Sequence, residues 1–96
     1  MKIPRTINIG GYTYKVLQDY DFRNDKELIG IADTEYLEIR LKSAKNPQVL
    51  KQVLLHEILH CIDYVFNDNK LIDQDATVDN LSQGLFQVFS QLEGKW

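Results

Sequence analysis

Three segments of the chain alternate apolar and polar residues with a period of two, which is typical of half-buried β-strands. The first two are residues 5–9 and 12–17, and Gly10-Gly11 separates them. A glycine pair between two such runs predicts a β-hairpin. The third segment is residues 35–41, so the sequence predicts a hairpin followed by one further strand.

The apolar spacing becomes helical after residue 45. Asn46 is predicted to cap a helix that has Pro47 at its first position, a favoured arrangement. Apolar residues then recur at positions 49, 50, 53, 54, 58, 61, 62 and 65. Because they surround most of the circumference, the helix over residues 46–66 is predicted to be central rather than superficial.

A second helix is predicted to begin near residues 73–75 and to run to about Leu92. Its apolar residues form a stripe that is predicted to be buried: Val78, Leu81, Leu85, Val88, Phe89 and Leu92. Residues 18–30 are polar and rich in aspartate, which predicts a loop. Three strands and two helices predict one α+β domain over residues 1–96, with a small antiparallel sheet packed on the helices.

Composition places the chain among ordinary globular proteins. It has 96 residues, 44% of them hydrophobic and 26% charged, which suffices for one core. The net charge of −3 is spread along the chain, so no nucleic-acid partner is expected. Apolar runs are too short for a signal peptide or a membrane span, which predicts a soluble, cytoplasmic protein. The single cysteine, Cys61, excludes an internal disulfide and fits a reducing compartment.

The stretch "LLHEILHCIDY" carries the most informative motif. His56 and His60 lie one helical turn apart, so both imidazoles project from the same face. Glu57 lies about 100° round the helix from His56, within reach of a water on the same metal ion. This spacing is typical of a zinc site with two histidine ligands and a glutamate general base.

An alternative interpretation makes the motif a chance match on an amphipathic helix, with the two histidines hydrogen-bonded in the core. Two observations favour the metal site. These are the only histidines in the chain, and both lie on a strongly apolar helix. An unpaired imidazole or carboxylate there would cost about 1–3 kcal/mol.

A third protein ligand must come from another part of the chain. The second helix offers Asp75, which flanks the predicted buried stripe, and Asp79 one turn later, further from that stripe. We favour Asp75 and keep Asp79 as the alternative. Asp63 is interpreted as an acceptor that orients His60 or as a solvated acid. Cys61 points to the opposite side of the helix and is predicted to be a buried structural thiol.

The chain resembles small phage- and prophage-encoded zincin-like proteins, relatives of the ImmA/IrrE metallopeptidase group. The motif "HEILH" is the specific part of the resemblance. The other similar stretches are "KIPRTINIGGYTYKV", "TEYLEIRL" and "VDNLSQGLFQVF", which together with the motif cover most of the chain.

The resemblance implies a minimal gluzincin-like fold, in which the motif helix lies beneath a small sheet and a second helix supplies the third ligand. The acid at that ligand position is Asp75, where the family pattern usually has glutamate. One zinc ion per chain is implied. In zincins the strand beside the cleft often pairs with the substrate peptide, and the matching segment here is residues 35–41. ImmA-like proteins are implicated in cleaving repressors of phages or mobile elements, so the implied substrate is a regulatory protein, cleaved in the cytoplasm of a bacterial host.

Three functions compete at this point. The first is a zinc endopeptidase with Glu57 as its base. No oxyanion stabiliser can be singled out: Tyr36 and Tyr64 are candidates, but we favour a core or rim position for each. The second is a binding module that holds the metal but does not catalyse. The third is an interaction protein without metal. The intact Glu57 favours the first over the second, because a purely structural site needs no base.

Overall fold

Four strands and two helices make up the fold in a computed structural model that describes residues 2–23, 25, 27–71 and 73–92. In chain order they are β1 (Thr6–Ile9), β2 (Tyr12–Leu17), β3 (Gly30–Asp33), β4 (Glu38–Leu41), α1 (Pro47–Phe66) and α2 (Asp75–Leu92). The predicted α+β class is confirmed.

The predicted hairpin is formed by β1 and β2. The two strands pair antiparallel, with Ile9 opposite Tyr12 across the glycine pair. Gly10 and Gly11 have φ angles of +57° and +89°, a region that favours glycine. A Cβ on Gly10 would also collide with the side chain of Val65 on α1. The turn therefore needs glycine at residue 10 both for its backbone conformation and for its contact with the helix.

The sheet differs from the prediction in having four strands and one parallel pair. The strand order is β1-β2-β4-β3, in which β2 and β4 are parallel while β3 and β4 are antiparallel. Strand β3 was not predicted, because its four residues are all half-buried and show no alternation. The connection from β2 to β4 therefore contains a strand of its own as well as loop residues.

The predicted strand over residues 35–41 is shorter in the structure and begins at Glu38. Residues 34–37 form a turn, in which the Asp33 carboxylate accepts hydrogen bonds from the backbone N–H groups of Glu35 and Tyr36. These two bonds lower the pKa of Asp33, as does Arg40, which contacts the same carboxylate at 2.7 Å. Hydrogen bonds to the Asp33 carboxylate thus hold residues 34–37 in a turn, although the alternation of apolar and polar residues predicts a strand from residue 35.

Helix α1 is central, as predicted. Asn46 accepts a hydrogen bond from the Gln48 N–H and Pro47 opens the helix. On one side α1 packs against α2, and on the other against β1, β3 and β4. The fully buried core residues are Tyr14, Ile39, Leu41, Leu54, Val78, Cys61 and Ser82.

The stripe predicted to be buried on α2 is only partly covered. Val78 is fully buried, whereas Leu81, Val88 and Leu92 are 50%, 49% and 37% exposed. Among the described elements α2 packs only on α1, so only one narrow face of it is covered. Within the described part of the chain, neither helix combines the length and apolarity that a membrane crossing requires.

Candidate metal centre

Two imidazole nitrogens face each other on α1. The Nε2 atoms of His56 and His60 are 3.1 Å apart, and the two rings are nearly perpendicular at 68°. Both residues are partly buried at the junction with α2, with about a fifth of each side chain exposed. The one-turn spacing read from the sequence thus places two nitrogen donors side by side.

Helix α2 brings both candidate acids to this pair, and each contacts a different histidine. An Asp75 carboxylate oxygen lies 3.5 Å from His60 Nε2, and an Asp79 oxygen lies 3.5 Å from His56 Nδ1. Asp75 therefore approaches the two Nε2 atoms that face each other, while Asp79 approaches the His56 ring at its other nitrogen, Nδ1. The donor atoms of His56, His60 and Asp75 all lie within 4.8 Å of one another.

Two of the three donor separations are close to those of a tetrahedral zinc site. Ligand atoms at about 2.0–2.1 Å from zinc and at tetrahedral angles lie about 3.3 Å apart. The measured Nε2–Nε2 and Nε2–carboxylate distances, 3.1 and 3.5 Å, are on either side of that value. Asp75 is 82% exposed, so its side chain can adjust without disturbing the core. Without an ion, one imidazole can donate a hydrogen bond to the other at the same distance.

Asp79 matches the pattern of an acid that orients a metal-binding histidine. A histidine ligand usually donates its other ring N–H to a carboxylate or carbonyl, which fixes the tautomer. If His56 Nδ1 carries the proton and donates it to Asp79 in a hydrogen bond, the lone pair of Nε2 is free to bind a metal ion. The two acids that the sequence left as alternatives are thus compatible with two separate roles.

Glu57 is buried beside the same site, with 7% of its surface exposed. Burial, followed by the negative charge of Asp75, raises the pKa of Glu57 to about 7. Its carboxylate lies against β3, since a Cβ on Gly30 would be 3.1 Å from Glu57 Oε2. A carboxyl group with a pKa near neutrality can both accept and return a proton.

Burial and the neighbouring His56 lower the pKa of His60, and the charges of Asp75 and Asp63 partly oppose this shift. The lowered pKa favours the neutral imidazole at neutral pH. A neutral imidazole is the form that donates to a metal ion.

Asp63 is not the solvated acid that the sequence suggested as one alternative, because only 2% of its surface is exposed. Its carboxylate accepts hydrogen bonds from Asn67 Nδ2 at 2.9 Å and from the Leu71 N–H at 3.0 Å. These bonds take the place of the predicted bond to His60. Asp63 therefore fixes the connection between the two helices and acts on His60 only through its charge.

Cys61 is the buried free thiol that the sequence predicted. Burial raises the pKa of its thiol to about 12, and burial likewise raises the pKa of the neighbouring Tyr14 to about 12. Both groups stay neutral in the core. The high pKa of the thiol fits packing rather than metal binding, which requires a thiolate.

Two cavities lie on either side of Glu57. The first, here called the Val53 cavity, has a volume of about 350 Å³; it is lined by residues 27–30, Val49, Gln52, Val53, His56, Glu57 and Asp79. The second, the Tyr64 cavity, has about 250 Å³; it is lined by Ile31, Ala32, Thr34, Glu57, His60, Tyr64 and Asn69. Of the two tyrosines considered for oxyanion stabilisation, Tyr64 lines a cavity at the site, while Tyr36 is 71% exposed in the β3–β4 turn.

The open edge of the sheet beside the site is β3, not the segment 35–41 that the resemblance pointed to. Strand β4 is paired on both sides, with β2 and with β3, so it has no free edge. The Lys42 N–H donates a hydrogen bond to the Ile29 carbonyl, so the backbone groups of Ile29 face β4. In an antiparallel pair, successive residues direct their N–H and C=O groups alternately to one side and the other, so those of Gly30 and Ala32 face outward. Sequence reasoning missed this edge because residue 30 fell in a predicted loop.

The comparisons with known proteins add no relative to this geometry. No family model matches the chain, and no curated protein and no solved structure matches it. The function is therefore argued from the site.

Proposed function

We propose that this chain is a zinc-dependent endopeptidase that hydrolyses a peptide bond in a partner protein. One observation carries the proposal. Two imidazole nitrogens 3.1 Å apart and the Asp75 carboxylate converge next to a buried glutamate, beside an open strand edge. A buried carboxyl group is costly in a site that only holds a metal, whereas a hydrolytic site requires one.

In this proposal His56, His60 and Asp75 hold one zinc ion, and Asp79 holds the His56 ring in the binding orientation. The donor set of two imidazoles and one carboxylate is common for catalytic zinc and leaves one position open. A bound zinc ion polarises the peptide carbonyl and lowers the pKa of a bound water towards about 7.

Glu57 performs the proton transfers. Its carboxylate accepts a proton from the attacking water and returns it to the nitrogen of the leaving amine. Burial makes this carboxylate a stronger base than an exposed glutamate, which supports its role in the first transfer. The closeness of the Glu57 carboxylate to Gly30 supports this role, because a peptide paired with β3 would pass next to it.

The substrate pairs with β3 as an added strand. The outward backbone groups of Gly30 and Ala32 offer donors and acceptors to an extended peptide. Such a peptide passes over Glu57, with the Val53 cavity on one side and the Tyr64 cavity on the other. The resemblance to ImmA-like proteins extends the proposal to a regulator of a phage or mobile element as the substrate and to the cytoplasm as the location.

Zinc content and peptide cleavage together test the proposal. We expect about one zinc per chain in protein purified without chelator. We also expect cleavage of a mixed peptide library that falls by roughly 10²–10⁴-fold in Glu57→Gln with the zinc retained. Glu35→Gln is the matched control, since Glu35 is exposed in the β3–β4 turn.

Two other outcomes identify the competing functions. Zinc binding without cleavage by the unmodified chain, on the library or on candidate repressors, would favour the binding module that does not catalyse. Absence of zinc uptake, with a melting temperature unaffected by chelator, would favour the interaction protein without metal.

A further inference from the structure

The Val53 cavity joins the metal centre to an apolar hollow between three elements. The segment 27–30 forms one wall, α1 forms the floor, and α2 contributes Asp79. Its volume of about 350 Å³ lies at the lower end of the range for ligand pockets, roughly 300–1,000 Å³. This is enough for one large side chain and too little for a folded segment.

The walls of the cavity are apolar and remain accessible. Leu28, Ile29, Val49 and Val53 supply them, and Ile29 and Val49 are 58% and 48% exposed. Contact with an apolar side chain would remove this surface from water and stabilise the complex by about 25 cal/mol per Å² of buried apolar surface. A polar side chain would bring no such gain.

The charges around the cavity are negative. Glu27 and Asp79 line it together with Glu57, and the described lining residues include no lysine or arginine. Asp79 is already engaged with His56 Nδ1. The zinc ion that His56 helps to hold in our proposal carries two positive charges, against three carboxylates in the cavity lining and a fourth at Asp75. The surroundings of the cavity therefore stay net negative and disfavour an acidic side chain at this position.

Gly30 determines which part of a substrate reaches this cavity. It is both an outward-facing residue of the β3 edge and a lining residue next to Glu57. In a peptide paired with β3, successive side chains point to opposite faces of the sheet. The substrate residue that pairs with Gly30 therefore directs its side chain towards α1. This residue is next to the peptide bond that lies above Glu57.

We infer that the Val53 cavity selects a bulky apolar side chain, such as leucine or phenylalanine, in the residue next to the scissile bond, and that it excludes aspartate and glutamate. This inference rests on the proposed function, because the selected residue is defined by its position relative to the metal site.

Binding of hydroxamic acids to the zinc-loaded full chain tests the inference without requiring cleavage. The probes have the form HONH–CO–CH2–CHR–CO–NHCH3, with R as isobutyl, benzyl, methyl or carboxymethyl. We expect the isobutyl and benzyl probes to bind roughly 10- to 100-fold more tightly than the methyl probe, and the carboxymethyl probe to bind most weakly.

Two tryptophan substitutions locate the effect. Val49→Trp fills the cavity and should reduce the preference for isobutyl over methyl to less than about threefold, with zinc content unchanged. Val88→Trp is the matched control, because Val88 is 49% exposed on α2 and does not line the cavity. It should retain the full preference.

Equal dissociation constants for the isobutyl and methyl probes would overturn the inference and leave the metal site intact. The same conclusion follows if Val49→Trp retains the preference. Failure of all four probes to bind, or failure of the chain to take up zinc, would overturn the proposed function and the inference with it.

Discussion

Asp75 and Asp79 occupy successive turns of one helix and contact the same pair of histidines, yet their positions give them different chemistry. Asp75 is exposed and lies near His60 Nε2, one of the two nitrogens that face each other. Asp79 lies near His56 Nδ1, a nitrogen that points away from the common donor group. Loss of each carboxylate should therefore affect zinc affinity to a different extent.

We expect Asp75→Ala to lower zinc affinity by more than about 100-fold, because it removes a ligand. Asp79→Ala should lower it by roughly 10- to 100-fold, the usual effect of losing a carboxylate that orients a histidine ligand. Competition with a chromophoric chelator measures both affinities. Asp73→Ala, an exposed acid just before α2, serves as the control. A larger loss in Asp79→Ala than in Asp75→Ala would reverse the two assignments.

At the scale of elements, the contact of β3 with α1 decides how close the edge of the sheet comes to Glu57. A Cβ on Gly30 would lie 2.7 Å from Val53 Cγ1 and 3.1 Å from Glu57 Oε2. Only a residue without a side chain allows β3 and α1 to approach this closely. At Gly84, in the middle of α2, no atom beyond the glycine's chain neighbours and the adjacent helix backbone lies within 4 Å of the corresponding position.

Gly30→Ala should therefore destabilise the protein by about 1–3 kcal/mol, since β3 or Val53 must move to admit a methyl group. Gly84→Ala, the matched control, should stabilise it by up to about 1 kcal/mol, because alanine is the better helix former and no contact opposes it. Urea unfolding monitored by circular dichroism measures both changes. Equal effects of the two substitutions would contradict the close packing of β3 on α1.

Sequence patterns predicted those elements whose signals are local. The hairpin at Gly10-Gly11 and the cap at Asn46 depend on neighbouring residues, and both are present. The strand β3 and the pairing of β2 with β4 depend on contacts between distant residues, which no local pattern records. The partial exposure of α2 has the same origin, because amphipathic spacing shows which face is apolar but not how many elements cover it.

The candidate site followed the same rule. His56, Glu57 and His60 were proposed as site residues from their spacing on one helix, and they lie together in the structure. The choice between Asp75 and Asp79 required the orientation of α2 relative to α1, which depends on packing. The Val53 cavity could not be found from the sequence, since segments from three different parts of the chain form it.

At the scale of the whole molecule, Cys61 and Tyr14 couple the stability of the fold to alkaline pH. Burial raises the pKa of Cys61 from its ordinary value of 9.0 to about 12. In the unfolded chain the thiol loses its proton above pH 9, while in the folded protein it keeps the proton until about pH 12. The folded state then binds more protons, so its stability must fall as the pH rises through this window.

Through Cys61 alone, the free energy of unfolding falls by at most about 1.4 kcal/mol for each unit of rising pH. We expect the free energy of unfolding, measured in urea with chelator present between pH 8 and 10.5, to decline more steeply for the unmodified chain than for Cys61→Ala. The substitution leaves a cavity and lowers stability at every pH, so the slope is the relevant quantity and not the absolute value. Identical slopes would show that the thiol titrates alike in both states.

The anchoring of the helix connection by Asp63 has a consequence for how this centre tolerates changes in chain length. Besides its carboxylate bonds, the Asp63 carbonyl accepts hydrogen bonds from the N–H groups of Asn67 and Asn69. One extra residue between Asp63 and Leu71 would put these N–H groups out of register with the Asp63 oxygens, so that at least one buried oxygen would lose its donor. The length of the connection is therefore fixed by hydrogen bonds to a residue on α1, and it helps to hold the start of α2 beside the two histidines.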